Sequence, residues 1–320
     1  MNRLLRFSIL LIFTSWAQLT HSAEDVDLEI GSGSLLLNLG SEAARYVEVF
    51  YYRPTSFNPS SKVVLVIPGS GRNADDYRDS WIESADKYDL LVVSPAYPES
   101  EYDLAAYQLG GLITNLELID PSIEMIDGRP YKYRMEDENI KFSYVSNADE
   151  YLFEDFDKIF AQVKELTGTT EEKYDLFGHS AGGQLLHRYA IFKPSSNADR
   201  IVAGNAGFYT LPNHSESFPF GLEGTNASNE QLQQSFSTKL ILLLGEEDNQ
   251  QETGGIMLHT PKADQQGLGR FERGNYFFEH SRTAALAREF EFSWTLEIVE
   301  GVGHNYRAMG AAAAELLYSE

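Results

Sequence analysis

Short apolar runs rich in valine recur along the chain and are separated by segments of helical length. KVVLVIPGSG and DLLVVSPAYP are continuous runs, which are typical of strands buried on both faces of a sheet. RYVEVFYYRP alternates instead, as a half-buried strand does. Further runs are KYDLFGHS, RIVAGNAGFY, KLILLLGEED and SWTLEIVEGVGH. Because strands alternate with helices, the sequence predicts an α/β protein with a mostly parallel sheet and helices on both faces.

Amphipathic segments between these runs predict the helices. The longest, ADEYLFEDFDKIFAQVKELTG, closes on Gly168, a residue type that commonly ends helices. The opening segment DVDLEIGSGSLLLNLG is expected to add an antiparallel hairpin at the edge of the sheet. The other predicted helices are DYRDSWIESADKY, GQLLHRYAIFK, FEHSRTAALAREF and YRAMGAAAAELLYS.

The amino terminus has the layout of a secretory signal peptide. Arg3 and Arg6 precede the apolar segment FSILLIFTSWA, and small residues follow as far as Ala23. This apolar segment is shorter than the about 20 residues that a membrane-spanning helix needs. The sequence therefore predicts a signal peptide over residues 1–23, a secreted or periplasmic protein, and a single domain over residues 24–320.

Composition excludes several kinds of site. The chain contains no cysteine, which excludes disulfides, thiolate metal sites and a cysteine nucleophile. Its formal net charge of −23 disfavours nucleic acid and anionic membranes as partners. It has no His-Glu-x-x-His motif, calcium-binding loop or P-loop lysine, so we expect neither a metal nor a nucleotide cofactor.

The segment YDLFGHSAGGQLL carries a serine at the junction between a predicted strand and a predicted helix. Gly178, Ser180 and Gly182 fit the pattern G-x-S-x-G, the nucleophile elbow, in which a strained turn exposes the serine hydroxyl above the sheet. Three fixed positions are a weak signal alone, and the flanking strand and helix patterns make the match specific. Ser180 is therefore the candidate nucleophile.

On these residues the mature chain resembles the α/β-hydrolase fold family over essentially its whole length. Within that family it is similar to secreted serine esterases of the polyhydroxyalkanoate-depolymerase and feruloyl-esterase type. The likeness rests on VIPGSGRNADDY, GHSAGG, LLGEEDN and VEGVGH. Those esterases often have His-Gly where this chain has Pro68-Gly69. The resemblance implies a mostly parallel sheet of the eight-stranded type.

A serine nucleophile needs a general base, and the base needs a third group to orient it. In this fold the order along the chain is serine, acid, histidine. His304 is the candidate base, because TLEIVEGVGH leads from a strand into a glycine-rich loop. The family pattern places the acid at Asp248, beside Glu246 and Glu247. The histidines that come too early or lack this context are His179, His187, His214, His259 and His280.

Two backbone N–H groups must face the oxygen that becomes negative during acyl transfer. One is expected from Ala181, which directly follows the nucleophile. For the other, the resemblance points to Ser70 in the loop PGSGRN, with Gly71 as the near alternative.

Two segments interrupt the alternation of strands and helices. Residues 98–147 are long and acidic, and residues 210–237 are rich in turn formers. Both follow the carboxyl ends of strands, where parallel sheets bind ligands, so they are candidate lids and pocket walls or, for the first, an ordinary surface loop. Four aromatic residues are expected to line the substrate pocket or, alternatively, to cap the core: Phe208, Tyr209, Phe218 and Phe220.

Together these features predict a serine hydrolase that cleaves a small-molecule or polymeric carboxylic ester through an acyl-enzyme, without a cofactor. An amidase or peptidase is the first alternative, because the same three residues do not select the leaving group. A binding protein that keeps the fold but has lost activity is the second.

Overall fold

The computed structural model describes residues 28–40 and 43–319, so the predicted signal peptide lies outside the described residues. In chain order the strands are β1 (Gly31–Asn38), β2 (Tyr46–Arg53), β3 (Val63–Ile67), β4 (Leu91–Pro95), β5 (Ile113–Leu118), β6 (Ser122–Ile126), β7 (Arg129–Arg134), β8 (Ile140–Tyr144), β9 (Tyr174–His179), β10 (Ala198–Gly204), β11 (Lys239–Gly245), β12 (Met257–His259) and β13 (Thr295–Val299). The α-helices are α1 (Ala74–Asp79), α2 (Ile82–Tyr88), α3 (Leu104–Tyr107), α4 (Glu154–Thr167), α5 (Ala181–Phe192), α6 (Asn229–Phe236), α7 (Pro261–Gln266), α8 (Arg270–Leu286) and α9 (Tyr306–Tyr318).

Eight strands form the main sheet in the order β1-β2-β4-β3-β9-β10-β11-β13. β2 runs antiparallel to both of its neighbours, β1 and β4, and the remaining neighbours pair in parallel. The predicted mostly parallel sheet and the antiparallel hairpin at its edge are therefore confirmed.

Strand β3 shows why the continuous valine-rich runs become central strands. All five of its residues are fully buried. Val64 and Val66 pack into a core with Trp81 and Met309 on one face of the sheet, whereas Leu65 belongs to the larger core on the other face. Because successive side chains in a strand point to opposite faces, a sheet covered by helices on both sides needs apolar residues at every position.

The helices differ from the predicted segments at three places, and α3, α6 and α7 match no predicted segment. The segment predicted to be helical from Ala148 becomes an α-helix only at Glu154. DYRDSWIESADKY forms α1 and α2 with a break between them, because the side chain of Trp81 turns fully into the core, where its ring lies 5.3 Å from that of Phe177. Helix α8 begins at Arg270, well before the predicted segment, because buried arginines in its first turns hide the amphipathic pattern. The end of α4 at Gly168, which has a φ of 66°, is as predicted.

Residues 98–147 contain helix α3 and strands β5 to β8, which belong to two small sheets. β5 pairs with β8, and the hairpin of β6 and β7 pairs through β7 with β12. The ring of Phe142 in β8 lies 6.1 Å from that of Phe218, and Tyr144 donates a hydrogen bond to the Glu223 carbonyl at 3.0 Å. The two interrupting segments, residues 98–147 (the first insertion) and residues 210–237 (the second insertion), therefore pack against each other.

Helix α5 lies directly against the backbones of two strands. A Cβ added at Gly182 would overlap the carbonyl oxygen of Ile67 at the end of β3, and a Cβ added at Gly183 would overlap the carbonyl oxygen of Gly204 at the end of β10. The two glycines therefore permit an approach that no other residue would allow. This approach fixes the position of the residue that precedes the helix, Ser180, over the sheet.

We expect Gly182→Ala to lower the free energy of unfolding by about 1–3 kcal/mol, because overpacking against a rigid backbone costs that much. Gly204→Ala is the matched control: Gly204 is also buried, but its added methyl group would meet its nearest neighbour, the Gly178 oxygen, at 3.4 Å, an ordinary contact. Urea unfolding of both variants makes the comparison. Equal stability of Gly182→Ala and the wild type would contradict this account of the packing.

Candidate active site

Ser180 occupies the turn between β9 and α5 in a strained backbone conformation. Its φ of 59° and ψ of −115° lie outside the regions that residues with a side chain adopt freely. Its N–H donates to the Gly204 carbonyl at 2.9 Å, and a Cβ on Gly178 would meet the Gly182 carbonyl oxygen at 2.5 Å. Small neighbours are therefore required, as the sequence pattern indicated.

The structure brings Ser180, His304 and Asp248 together from three loops at the carboxyl edge of the sheet. His304 Nε2 lies 3.0 Å from Ser180 Oγ, and His304 Nδ1 lies 2.6 Å from Asp248 Oδ2. With Nδ1–H donating to the carboxylate, Nε2 is the acceptor that faces the serine hydroxyl. This arrangement can move a proton from the hydroxyl to the imidazole while the carboxylate holds the ring in place.

The loop after β11, which carries Asp248 and is called the acid loop below, forms hydrogen bonds to the loop after β13, which carries His304 and is called the histidine loop. Glu252 Oε2 accepts a hydrogen bond from the His304 N–H at 2.9 Å, and Glu246 Oε2 accepts one from the Gly301 N–H at 3.0 Å. The N–H of Glu247 donates to the Val302 carbonyl at 2.9 Å. The three carboxylates that are adjacent in the sequence thus have different positions, and Asp248 is the one that contacts the imidazole.

Asp248 is fully buried and uses both of its oxygens. Oδ2 faces His304, while Oδ1 accepts a hydrogen bond from Arg270 Nη1 at 2.9 Å. Burial raises the pKa of the Asp248 carboxyl, and Arg270 and His179 oppose that change. Sequence reasoning missed Arg270 and Glu252, because neither belongs to a motif and charged residues are frequent throughout this chain.

The environment keeps the imidazole of His304 neutral. Burial lowers the pKa of His304 well below its ordinary value, Arg270 lowers it further, and Glu252 raises it. His179, whose ring centroid lies 4.5 Å from that of His304, also has a pKa well below its ordinary value because it is buried. A neutral imidazole is the form that can accept the proton of Ser180 at neutral pH.

The two predicted oxyanion donors both lie close to Ser180. Ala181 is the first residue of α5, so its N–H has no acceptor within the helix. Ser70 follows Gly69, where an added Cβ would lie 3.4 Å from the Ser180 Cβ. The carbonyl of Pro68, in the same loop, accepts a hydrogen bond from the Tyr107 hydroxyl at 2.6 Å. Tyr107 therefore anchors the loop that carries Ser70.

His179, Asp248 and His304 are also the group of residues with the spacing of metal ligands in the described part of the chain, because their donor atoms all lie within 4.8 Å of one another. The donor atoms of Asp248 and His304 already bond to each other, to Ser180 or to Arg270, and a metal ion would have to break those contacts. The ring nitrogens of His179 face Tyr77 and Asn205 instead. The geometry therefore fits proton transfer better than metal binding, and the lack of a cofactor stays a prediction.

Neither the protein-family models nor the curated proteins contain a match to the chain. Among solved structures it is similar to poly(aspartic acid) hydrolase-1 from Sphingomonas sp. KT-1, with 29% identity, a TM-score of 0.77 and coverage of 91% of this chain and 100% of the other. It is also similar to a poly(3-hydroxybutyrate) depolymerase from Bordetella parapertussis, with 28% identity, a TM-score of 0.75 and 91% of each chain covered. The chain has an α/β-hydrolase fold.

More distant α/β-hydrolases share the fold alone. A siderophore hydrolase from Aspergillus nidulans has 13% identity and a TM-score of 0.51 over 96% of this chain and 99% of the other. The neighbours are hydrolases and depolymerases, which supports hydrolase activity. Within residues 28–40 and 43–319 of this α/β-hydrolase, none of the helices combines the length and the apolar character needed to cross a membrane.

The four aromatic residues expected at the pocket are all buried in the larger core of the α/β-hydrolase, and none is more than 5% exposed. Tyr209 stacks on Phe277 with ring centroids 4.7 Å apart. The rings of Phe208 and Phe220 lie 5.4 Å apart, and Phe218 packs against the first insertion. The structure thus favours the alternative that the sequence left open, in which these rings cap the core.

We expect Phe220→Ala to lower the free energy of unfolding by about 3–5 kcal/mol, as truncation of a buried phenylalanine does. Leu286→Ala is the control, because Leu286 is 77% exposed and its loss should change stability little. Thermal and urea unfolding measure the difference. A Phe220→Ala protein with wild-type stability would return this ring to the predicted pocket wall.

Proposed function

We propose that this protein is an exported serine hydrolase that cleaves carboxylic esters, with Ser180 as nucleophile, His304 as general base and Asp248 as the orienting acid. The observation that carries the proposal is the continuous hydrogen-bond chain from Ser180 Oγ through His304 to Asp248. The signal-peptide pattern over residues 1–23 supports export. The two solved structures near 30% identity, one of them a polyester depolymerase by name, support hydrolysis of a polymer or its fragments.

In this mechanism Ser180 Oγ attacks the ester carbonyl carbon while His304 Nε2 takes its proton. The N–H groups of Ala181 and Ser70 stabilise the negative oxygen of the tetrahedral intermediate, and Asp248 stabilises the imidazolium. His304 then gives the proton to the departing alkoxide, which leaves an acyl group on Ser180. A water molecule attacks that acyl group with His304 again as base, and the acid product leaves as Oγ regains its proton.

The charge of the chain supports an uncharged ester as substrate. A cavity of about 390 Å³ within the first insertion is not lined by Ser180 or His304, and it has four carboxylate residues among its lining residues: Glu99, Glu101, Asp103 and Glu150. Together with the net charge of −23, these side chains would repel a polyanion such as poly(aspartic acid). Esters of hydroxy acids carry no such charge along the polymer. Amide hydrolysis by the same three residues is the second candidate, and the poly(aspartic acid) hydrolase supports it by name.

We expect Ser180→Ala to reduce kcat for the preferred ester by about 10⁶, as loss of the serine does in other triads. Turnover of p-nitrophenyl esters of increasing length, compared with peptide anilides, measures the loss and separates esterase from amidase. A fluorophosphonate should label the wild type and not the variant. Near-wild-type turnover by Ser180→Ala would refute the assigned nucleophile.

Asp248→Asn should reduce kcat by about 10⁴, because an amide cannot hold the imidazole in the required tautomer. Glu247→Gln is the control, since its carboxylate lies one residue away and only its backbone N–H contacts the histidine loop. Steady-state kinetics of both variants on the same ester give the comparison. A larger loss in Glu247→Gln would mean that the acid is misassigned.

A further inference from the structure

Arg270 is a fully buried cation that bonds to Asp248, the acid in the proposed relay of Ser180, His304 and Asp248. Its Nη1 donates to Asp248 Oδ1 at 2.9 Å, and its Nη2 donates to the Ile256 carbonyl at 3.3 Å. Its Nε is buried and has no hydrogen-bond partner among the described residues. Asp248 is thus held from both sides, by Arg270 on one oxygen and by His304 on the other.

The backbone fixes Arg270 against the acid loop. Arg270 is the first residue of α8, and the next N–H, that of Phe271, donates to the Asp248 carbonyl at 2.8 Å. A Cβ added at Gly269 would overlap the backbone of Asn249, so the start of α8 is pressed onto this loop. Because α8 is 17 residues long, the backbone that carries the Arg270 guanidinium is held rigidly.

Arg270 is also close to the imidazole itself. A Cβ added at Gly255 would lie 2.9 Å from both Arg270 Nη2 and His304 Nε2, so the two nitrogens are no farther apart than twice that distance. Gly255 has a φ of 69° and carries no side chain between them. At this separation in a buried site, a positive charge opposes protonation of the ring strongly.

We propose that Arg270 is a positioning residue for the reaction: it fixes the orientation of Asp248 and keeps His304 in its proton-accepting form in mildly acidic solution. The proposal rests on the function proposed above. Loss of Arg270 would leave a buried carboxylate with one free oxygen and would remove the charge that opposes an imidazolium.

The charged and titratable groups that face His304 give the sign of the effect. They are Asp248 and Glu252 from the acid loop, Arg270 from α8 and His179 from β9. Arg270 lowers the pKa of His304 and Glu252 raises it. Removal of the Arg270 charge should therefore move the acidic limb of the pH–activity profile, where activity falls as His304 is protonated, to higher pH. Removal of the Glu252 charge should move this limb to lower pH.

The test is the pH dependence of kcat/KM for a p-nitrophenyl ester. We expect Arg270→Gln and Arg270→Met to move the acidic limb up by about one pH unit and to reduce the plateau rate by about 10²-fold. Arg270→Lys, which keeps the charge, should keep the limb near its wild-type position. Glu252→Gln should move the limb down.

Arg273→Gln is the matched control for a purely structural role. Arg273 is also fully buried and lies one turn further along α8, but it pairs with Asp264 and not with the relay. We expect this variant to lose stability and to keep the wild-type limb. An unmoved limb in both charge-removing variants of Arg270 would overturn the proposal.

A separate measurement distinguishes failure of this proposal from failure of the proposed function. If the wild type hydrolyses no ester or amide, the function is wrong, and NMR titration of the His304 imidazole still tests Arg270. The ring should then titrate at higher pH in Arg270→Gln or Arg270→Met than in the wild type. Equal titration midpoints would overturn the role of Arg270.

Discussion

The close approach of one helix to two strands determines the position of Ser180 over the sheet. Helix α5 contacts the ends of β3 and β10 at Gly182 and Gly183, where a methyl group would overlap backbone. The turn that joins β9 to α5 is therefore short, and Ser180 has to accept a positive φ. The cost of that conformation is offset by the packing of the cores on both sides of the sheet.

The second requirement is that a carboxylate remains ionised inside the protein. A fully buried Asp248 is stable as an anion only when both oxygens have partners, and Arg270 and His304 provide them. The same acid loop supports the histidine loop through Glu246 and Glu252. The ionised Asp248, the orientation of the His304 ring and the hydrogen bonds between the two loops thus depend on one another.

Local sequence patterns predicted the sheet, its edge hairpin and the three residues that the structure brings together, because each of those residues lies in the turn or loop that follows a strand. Arg270 could not be predicted in this way, since it comes from a helix whose first turns have no apolar period. The aromatic residues at 208–220 could not be assigned to one of the two alternatives from the sequence. Their composition suggested a pocket, but a phenylalanine has the same appearance in a sequence whether its ring lines a pocket or fills a core.

The hydrogen bond from Tyr107 to the Pro68 carbonyl ties the first insertion to the loop that carries Ser70. Tyr107 is fully buried, and the guanidinium of Arg72 stacks over its ring at 3.6 Å. The loop that carries Ser70 is thereby tied to residues 98–147, which also pack against the second insertion. If residues 98–147 were trimmed, the loop beside Ser180 would lose this anchor. Under the proposed function, the first insertion is coupled in this way to transition-state stabilisation, and the two would have to be engineered together.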